Sequence, residues 1–320
     1  MLISDSPWHK TQSFYMAMVM IFISQLITGP GLARVVPPKP ISDVIAPPKP
    51  SPTKPYQHPL AARPSFRIIP GTPSEPVSVY LMAGQSNLVG AALQANLAPD
   101  YTAPLAGAYI WGARTEFVPL APGFDGRYTK FGTELGFGRR IIEHSHEPVY
   151  LIKSGLGATT LAEDWSPDGI NNSYDRFTQT VDAALKELST QGIAYDIKGL
   201  VWMQGEHDVW TADFAAAYEQ NLTQLINAIR TRYDSDLTIA IGLIRGDLPA
   251  DTRTPLAQVR VAQRRVAAAD SRVFLVDTDA LGHKTAILQP DGVHYNAAGQ
   301  VLLGTAFANA FNADTSDSRD

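Results

Sequence analysis

The stretch "VSVYLMAGQSN", residues 77–87, decides the fold of this chain. Its apolar residues form a run without alternation, which is typical of a strand buried on both faces of a parallel sheet. The run stops at Gly84, and a serine between two carboxamides follows at once. Ligands of open α/β sheets bind outside the carboxyl ends of the strands, so this exit is a candidate functional site.

Apolar and amphipathic runs alternate from residue 77 onward. The strand-like runs are 77–83, 148–154, 197–204, 237–244 and 272–277, and the helical patterns are 133–146, 172–190, 211–233, 254–270 and 296–312. Five such alternations predict an α/β fold with a doubly wound, five-stranded parallel sheet in one domain.

Composition divides the 320 residues into three segments. Residues 1–33 have a polar start, an apolar core at 14–29 and small residues before a cut after Ala33, which predicts a signal peptide or, uncleaved, a membrane anchor. Residues 34–76 hold 13 of the 24 prolines and predict a disordered Pro-rich linker. Residues 77–320 are the predicted main domain. We therefore expect export to the periplasm or the extracellular space, with membrane attachment only through the uncleaved segment.

Charge and cysteine content exclude several classes of function. The linker has a net charge of +4, and residues 1–33 have a net charge of zero. Because the whole chain has a net charge of −5, residues 77–320 have a net charge of −9. An acidic main domain argues against a nucleic-acid partner. The absence of cysteine excludes disulfides, thiol nucleophiles and thiolate metal sites. We find no phosphate loop and no convincing metal spacing, so we expect no cofactor and no metal. The oligomeric state is left open.

The polar residues at the predicted strand ends match the needs of an ester hydrolase. A serine nucleophile needs a base within hydrogen-bond reach and an anion that orients the base. Ser86 supplies a hydroxyl, and His294 with Asp291 three residues earlier supplies a base and an orienter. The developing oxyanion needs preorganised donors, for which the Gly157 amide and the Gln204 side chain are candidates.

Five sequence blocks, in this order, make the chain resemble the SGNH hydrolases. Within that superfamily it is similar to the sialate O-acetylesterase-like group, which is allied to carbohydrate esterase family six. The blocks are "GQSN" (84–87), "TELGFGR" (133–139), "GATTLAEDW" (157–165), "VWMQGEHD" (201–208) and "DGVHYNAAGQ" (291–300). The resemblance implies a flavodoxin-like three-layer α/β/α sandwich and hydrolysis of acetyl esters on sugars.

The resemblance also assigns roles by position. Ser86 matches the nucleophile, His294 the base and Asp291 its orienter. The oxyanion hole matches the amides of Ser86 and Gly157 and the side chain of Gln204.

Further residues of the blocks match supporting positions. Glu206 is either structural or an aid to the histidine, and Asn87 is expected to brace the loop. The candidates for substrate contact are Gln85, Asp164, Trp165 and His207. Two positions depart from the family pattern, since Ala158 replaces the second of two glycines and His207 replaces a serine.

Several alternatives remain open at this stage. Ser86 alone would suit a turn or a helix cap, His283 with Asp279 is a rival base, and Trp165 suits core packing equally well. The expected substrate is an acetylated carbohydrate, but the sugar is undetermined. The alternative functions are hydrolysis of another acyl ester, of lipid or peptidoglycan, or binding of carbohydrate without catalysis.

Overall fold

The computed structural model describes residues 75–127, 129–248 and 253–314. The predicted signal segment (1–33) and residues 34–74 of the predicted linker lie outside the described residues, as do residues 315–320 of the predicted main domain. Within the described ranges, no helix has both the length and the apolar character needed to cross a membrane.

Nine strands and seven α-helices organise the described part of the chain. The strands are β1 (Val77–Gly84), β2 (Ala92–Leu93), β3 (Ala108–Trp111), β4 (Phe117–Pro119), β5 (Lys130–Phe131), β6 (Val149–Gly155), β7 (Tyr195–Met203), β8 (Ile239–Leu243) and β9 (Val273–Asp277). The helices are α1 (Ser86–Val89), α2 (Glu134–Ser145), α3 (Ser173–Thr190), α4 (Ala212–Arg232), α5 (Arg253–Ala269), α6 (Lys284–Ile287) and α7 (Ala297–Asp314).

Seven strands form the main sheet, in the order β4-β3-β6-β1-β7-β8-β9. All neighbours are parallel except β3 and β4, which form an antiparallel edge. The run β6-β1-β7-β8-β9 has the order 2-1-3-4-5 of flavodoxin-like sheets. The predicted α/β class with a parallel sheet is confirmed.

The predicted count of five strands was too low, because β3 and β4 were missed. β3 has only four residues and lies between Gly107 and Gly112, which hides it from a pattern search. Its stability comes from tertiary contacts, since it pairs with β6 and the Tyr109 ring stacks on Tyr150 with centroids 4.9 Å apart.

Helices flank the central strands on both sides. Residues of β1 such as Leu81 and Met82 have no exposed surface. On one side, α2 crosses α7 so closely that a Cβ at Gly136 would lie 2.2 Å from the Val301 carbonyl oxygen. Gly136, the first glycine of "TELGFGR", therefore allows the two helices to pack closely. On the other side, α4 packs against α5.

The register of the sheet determines where the site lies. Gly84, the last residue of β1, pairs with Gly155 of β6 and Met203 of β7. Gly84 has φ +148°, and a Cβ there would lie 2.0 Å from the Met203 carbonyl oxygen, so only glycine fits. The three central strands thus end together, and the loops that follow them meet at one edge.

Candidate active site

Ser86 is the first residue of the short helix α1 and lies directly beyond the end of β1. The first amides of a helix have no acceptor inside the helix, so α1 itself leaves the Ser86 N–H free to bind another group. The amides of Leu88 and Val89 donate to the Gln85 carbonyl and close the turn. This tight turn presents a half-buried serine at the sheet edge.

A chain of hydrogen bonds joins Ser86 to His294 and Asp291. The Ser86 Oγ lies 3.0 Å from His294 Nε2, although 208 residues separate them. His294 Nδ1 lies 2.8 Å from Asp291 Oδ2. With Nδ1 protonated and donating to the carboxylate, Nε2 is free to accept a proton from the serine. The geometry is that of a nucleophile, a base and an orienter.

The loop before α7 fixes the Asp291 carboxylate. Its Oδ1 accepts hydrogen bonds of 2.9 Å from the backbone amides of Val293 and His294. Partial burial favours the neutral acid, but these two amides and the His294 ring outweigh it and hold the pKa of Asp291 below its ordinary value. Asp291 is therefore ionised when it faces the histidine.

These residues line an open cleft of about 430 Å³, which we call the Ser86 cleft. Its wall includes Ser86, Gly157 and His294, together with Arg127 and Gln289. The volume is within the range of about 300–1,000 Å³ that is common for ligand sites. The cleft therefore has room for an ester next to the serine.

Gly157 lies close enough to Ser86 for the amides of both residues to serve one oxyanion. A Cβ built on Gly157 would lie 3.7 Å from the Ser86 Cβ, and the glycine is exposed to the cleft. The next residue, Ala158, has φ +57°. This left-handed conformation strains a residue with a Cβ. Where the family pattern has a second glycine, this chain therefore has an alanine in a backbone conformation that glycine would adopt without strain.

Gln204 does not fit the predicted oxyanion role in this structure. Its side chain is fully buried, and Nε2 donates to the Thr159 carbonyl at 2.8 Å and to the Asp208 carboxylate. An amide has two donor hydrogens, so both are used. Its Oε1 accepts from the Tyr218 hydroxyl at 3.1 Å. Gln204 ties the loop after β7 to the loop after β6.

Glu206 and Asn87 form a buried pair next to Ser86. Asn87 Nδ2 donates to Glu206 Oε1 at 2.6 Å and to the Val293 carbonyl at 3.2 Å. Its Oδ1 accepts from the Tyr295 amide at 3.2 Å. Burial raises the pKa of Glu206. Asn87 thus connects α1 to the loop that carries the histidine, as the predicted brace requires.

Two of the predicted substrate contacts have structural partners instead. Gln85 is buried, and its Oε1 accepts from the amides of Gly205 and His207 at 3.3 and 3.4 Å. Asp164 Oδ2 accepts from the Thr160 amide at 2.7 Å. Both side chains hold loops at the sheet edge in place.

Trp165, a candidate for substrate contact that suited core packing equally well, is a core residue. It has no exposed surface, its Nε1 donates to Thr159 Oγ1 at 3.0 Å, and its ring packs edge-on against Trp202. A ring without exposed surface offers no face to a sugar.

His207 is half-buried, and its burial lowers its pKa despite the opposing field of Asp164.

Other residues of the site were missed by the sequence reasoning. Asp208 is fully buried and accepts from the Leu161 amide at 3.0 Å as well as from Gln204. It stands in the block "VWMQGEHD", which was a signal for it. Arg127 lies outside every predicted element, and nothing in the pattern indicated that it lines the cleft. The rival base His283 caps α6, where its Nδ1 bonds with Thr285.

Comparisons with known proteins identify relatives of this chain. The profile of the family described as "Carbohydrate esterase, sialic acid-specific acetylesterase" matches residues 76–313. A probable carbohydrate esterase of Arabidopsis thaliana is 24% identical over 265 residues, which cover 75% of this chain and 92% of that protein.

Solved structures share the fold. A protein of Arabidopsis thaliana has a TM-score of 0.62 at 22% identity, covering 75% of this chain and 99% of that chain. For NanS the TM-score is 0.56 at 16% identity, and the match covers 75% of this chain and 98% of NanS. For a carbohydrate acetylesterase from Xanthomonas citri it is 0.52 at 18% identity, covering 73% and 57%. The family match over residues 76–313 confirms the resemblance predicted from the five sequence blocks.

Proposed function

This chain belongs to the sialic acid-specific acetylesterase family of carbohydrate esterases, and on that premise we propose that it removes O-acetyl groups from carbohydrates through Ser86, His294 and Asp291. The chain is a carboxylic ester hydrolase, as the family is. The observation that carries the proposal is the continuous hydrogen-bond chain from Ser86 Oγ through the His294 ring to Asp291, with links of 3.0 and 2.8 Å.

In the acylation step, Ser86 Oγ attacks the carbonyl carbon of the acetyl ester while its proton passes to His294 Nε2. The tetrahedral intermediate collapses when His294 returns that proton to the sugar oxygen, which leaves as a hydroxyl. The acetyl group is then bound to Ser86. Asp291 holds the ring in the required tautomer and stabilises its cationic form.

In the deacylation step, water gives a proton to His294 and attacks the acetyl-serine. Acetic acid leaves and releases its proton to solvent as acetate, and the proton on His294 returns to Ser86 Oγ. The oxyanion of both steps is stabilised by the backbone amides of Ser86 and Gly157. We do not include Gln204 among the donors, because both of its amide hydrogens are engaged. Gln204 instead positions the Gly157 loop through Thr159.

Acetate release from a panel of acetylated glycans tests the proposal, with Ser86→Ala as the inactive control. We expect release of acetate from at least one glycan by the wild-type protein and none above background by the variant. Simple acyl esters of increasing chain length test the size of the acyl group. A preference for chains longer than butyrate would favour hydrolysis of another ester.

We also propose that the protein is exported, on the pattern of residues 1–33 alone. Expression of the full chain in a bacterial host, followed by N-terminal sequencing of the exported protein, tests this. A mature protein that begins at Arg34 would support cleavage after Ala33, whereas retention of the protein in the cytoplasm would contradict export.

A further inference from the structure

A second cavity opens beside the Ser86 cleft, along the same edge of the sheet. It has a volume of about 370 Å³ and lies at the carboxyl ends of β3 and β6. We call it the side pocket, and its wall includes Trp111, Phe124, Asp125, Arg127, Lys153 and Thr180. Val89 and Arg127 belong to the walls of both cavities, so the two adjoin at these residues.

The cations of the side pocket are paired with carboxylates. Arg127 Nε donates to Asp125 Oδ2 at 2.6 Å, and Lys153 Nζ donates to the buried Glu134. The pocket therefore carries polar groups without a net charge. A ligand with hydroxyl groups suits it better than an anion, which would find each cation already compensated.

Donor hydrogens remain for such a ligand. Besides its bond to Asp125, the Arg127 guanidinium donates to the carbonyls of Gly90 and Val89 at 2.8 and 2.7 Å, which uses three of its five N–H groups. Lys153 donates to Val89 as well as to Glu134, which uses two of three. These bonds also fix both cations against α1. The Arg127 side chain is 33% exposed and that of Lys153 only 4%, so Arg127 is the main donor to a ligand.

Aromatic side chains complete the wall. Phe124 is half-buried and supplies most of the aromatic surface. Trp111 is only 8% exposed, since it packs edge-on against Phe117 with ring centroids 5.1 Å apart, and it contributes a smaller part. Aromatic surface with a few fixed polar groups is the composition of a small-molecule site. A pyranose, which has apolar faces and hydroxyl edges, matches this composition.

We propose that the side pocket is a subsite for a neutral pyranose that neighbours the acetylated unit in an oligosaccharide. The inference rests on the proposed function, because the Ser86 cleft must hold the acetyl ester. Contiguity of the two cavities at Val89 and Arg127 then places the neighbouring ring in the side pocket. The enzyme thereby favours acetylated oligosaccharides over single acetylated sugars.

Two variants fill the pocket from different walls. Thr180 lies on α3, and its hydroxyl bonds only within its own helix, to the Arg176 carbonyl at 2.7 Å. Ala113 is exposed and follows β3. Thr180→Phe and Ala113→Phe therefore fill the pocket without removing a contact between elements. Thr190→Phe is the matched control, since Thr190 is exposed on the same helix and bonds to Lys186 in the same way.

The test compares kcat/KM for an acetylated neutral oligosaccharide with that for the acetylated methyl glycoside of the same sugar. We expect the wild-type protein and Thr190→Phe to prefer the oligosaccharide at least tenfold, mainly through a lower KM. Both pocket variants should lose this preference and keep turnover of p-nitrophenyl acetate within twofold. A wild-type protein without the preference, or pocket variants that retain it, would overturn the proposal.

Calorimetry separates a failure of the subsite from a failure of the proposed function. The deacetylated oligosaccharide is titrated into Ser86→Ala and into Ser86→Ala combined with Thr180→Phe. Binding only to the first protein supports the subsite even if no glycan is hydrolysed. Equal binding to both, or binding to neither, contradicts the subsite even if acetate release proceeds.

Discussion

Asn87 donates a hydrogen bond of 2.6 Å to the buried carboxyl of Glu206, although 119 residues separate the two in the chain. The same side chain bonds to the backbone of Val293 and Tyr295 on both sides of His294. Asn87 follows Ser86 directly. One carboxamide therefore sets the position of the serine helix relative to the histidine loop.

Asn87→Ala should lower kcat about 10- to 100-fold, because a small misplacement of the base is costly. It should also lower the free energy of unfolding by about 1–3 kcal/mol, the cost of leaving buried polar groups unpaired. Steady-state kinetics and urea unfolding measure both. Asn227→Ala, an exposed site on α4, is the control. An unchanged kcat in Asn87→Ala would contradict the positioning role.

Asp291→Asn should lower kcat by about three to four orders of magnitude with little change in KM. An amide facing Nδ1 favours the wrong tautomer of His294. Hydrogen bonds keep the pKa of Asp291 low despite its partial burial, so it remains ionised in mild acid. A variant with more than a tenth of wild-type kcat would refute the role of Asp291, and exposed Asp168→Asn is the control.

Ala158→Gly should raise the free energy of unfolding by about 0.5–1 kcal/mol. Relief of the left-handed strain gains about 1–2 kcal/mol, and the added freedom of the unfolded chain costs about 0.4–1 kcal/mol. Ala216→Gly, at an exposed position within α4, should have the opposite sign and cost about 1 kcal/mol. Loss of stability in Ala158→Gly would show that Ala158 is not strained.

Asp208→Asn should change how stability depends on pH. Burial raises the pKa of Asp208 to about 7, although the Gln204 amide and the Leu161 amide favour the anion. The folded protein then retains a proton that the unfolded chain releases near pH 4, so this group destabilises the fold as pH rises from about 4 to 7.

Asparagine has no carboxyl group to titrate, so the variant lacks this pH dependence. Its free energy of unfolding, minus that of the wild-type protein, should therefore increase by about 3 kcal/mol between pH 4 and 7. Urea unfolding at several pH values measures this difference. A difference that stays constant with pH would mean that Asp208 is ionised throughout the range.

The sequence predicted those strands whose own residues form a continuous apolar run. β1 and β6 to β9 are apolar runs, and such runs can be identified without knowledge of the partner strands. β3 could not be found in this way, because four residues between glycines form a strand only when β6 is beside them.

In the site, too, residues with a local sequence pattern were predicted, whereas contacts between distant residues were not. Ser86, Asp291 and His294 were predicted from block order and spacing, and the structure brings them together. The bond of Gln204 to Thr159 and the contact of Trp165 with Trp202 join residues about 40 positions apart, and a single sequence does not encode such packing locally. Arg127 enters the cleft from a segment without a periodic pattern.

Covalent labelling of the serine tests the central claim most directly. The folded wild-type protein is incubated with a fluorophosphonate probe, and its peptides are analysed by mass spectrometry. The account predicts one adduct at Ser86, which is absent in Ser86→Ala and at least 100-fold slower to form in a correctly folded His294→Ala. A folded, esterolytic protein that carries no adduct at Ser86 would contradict the account.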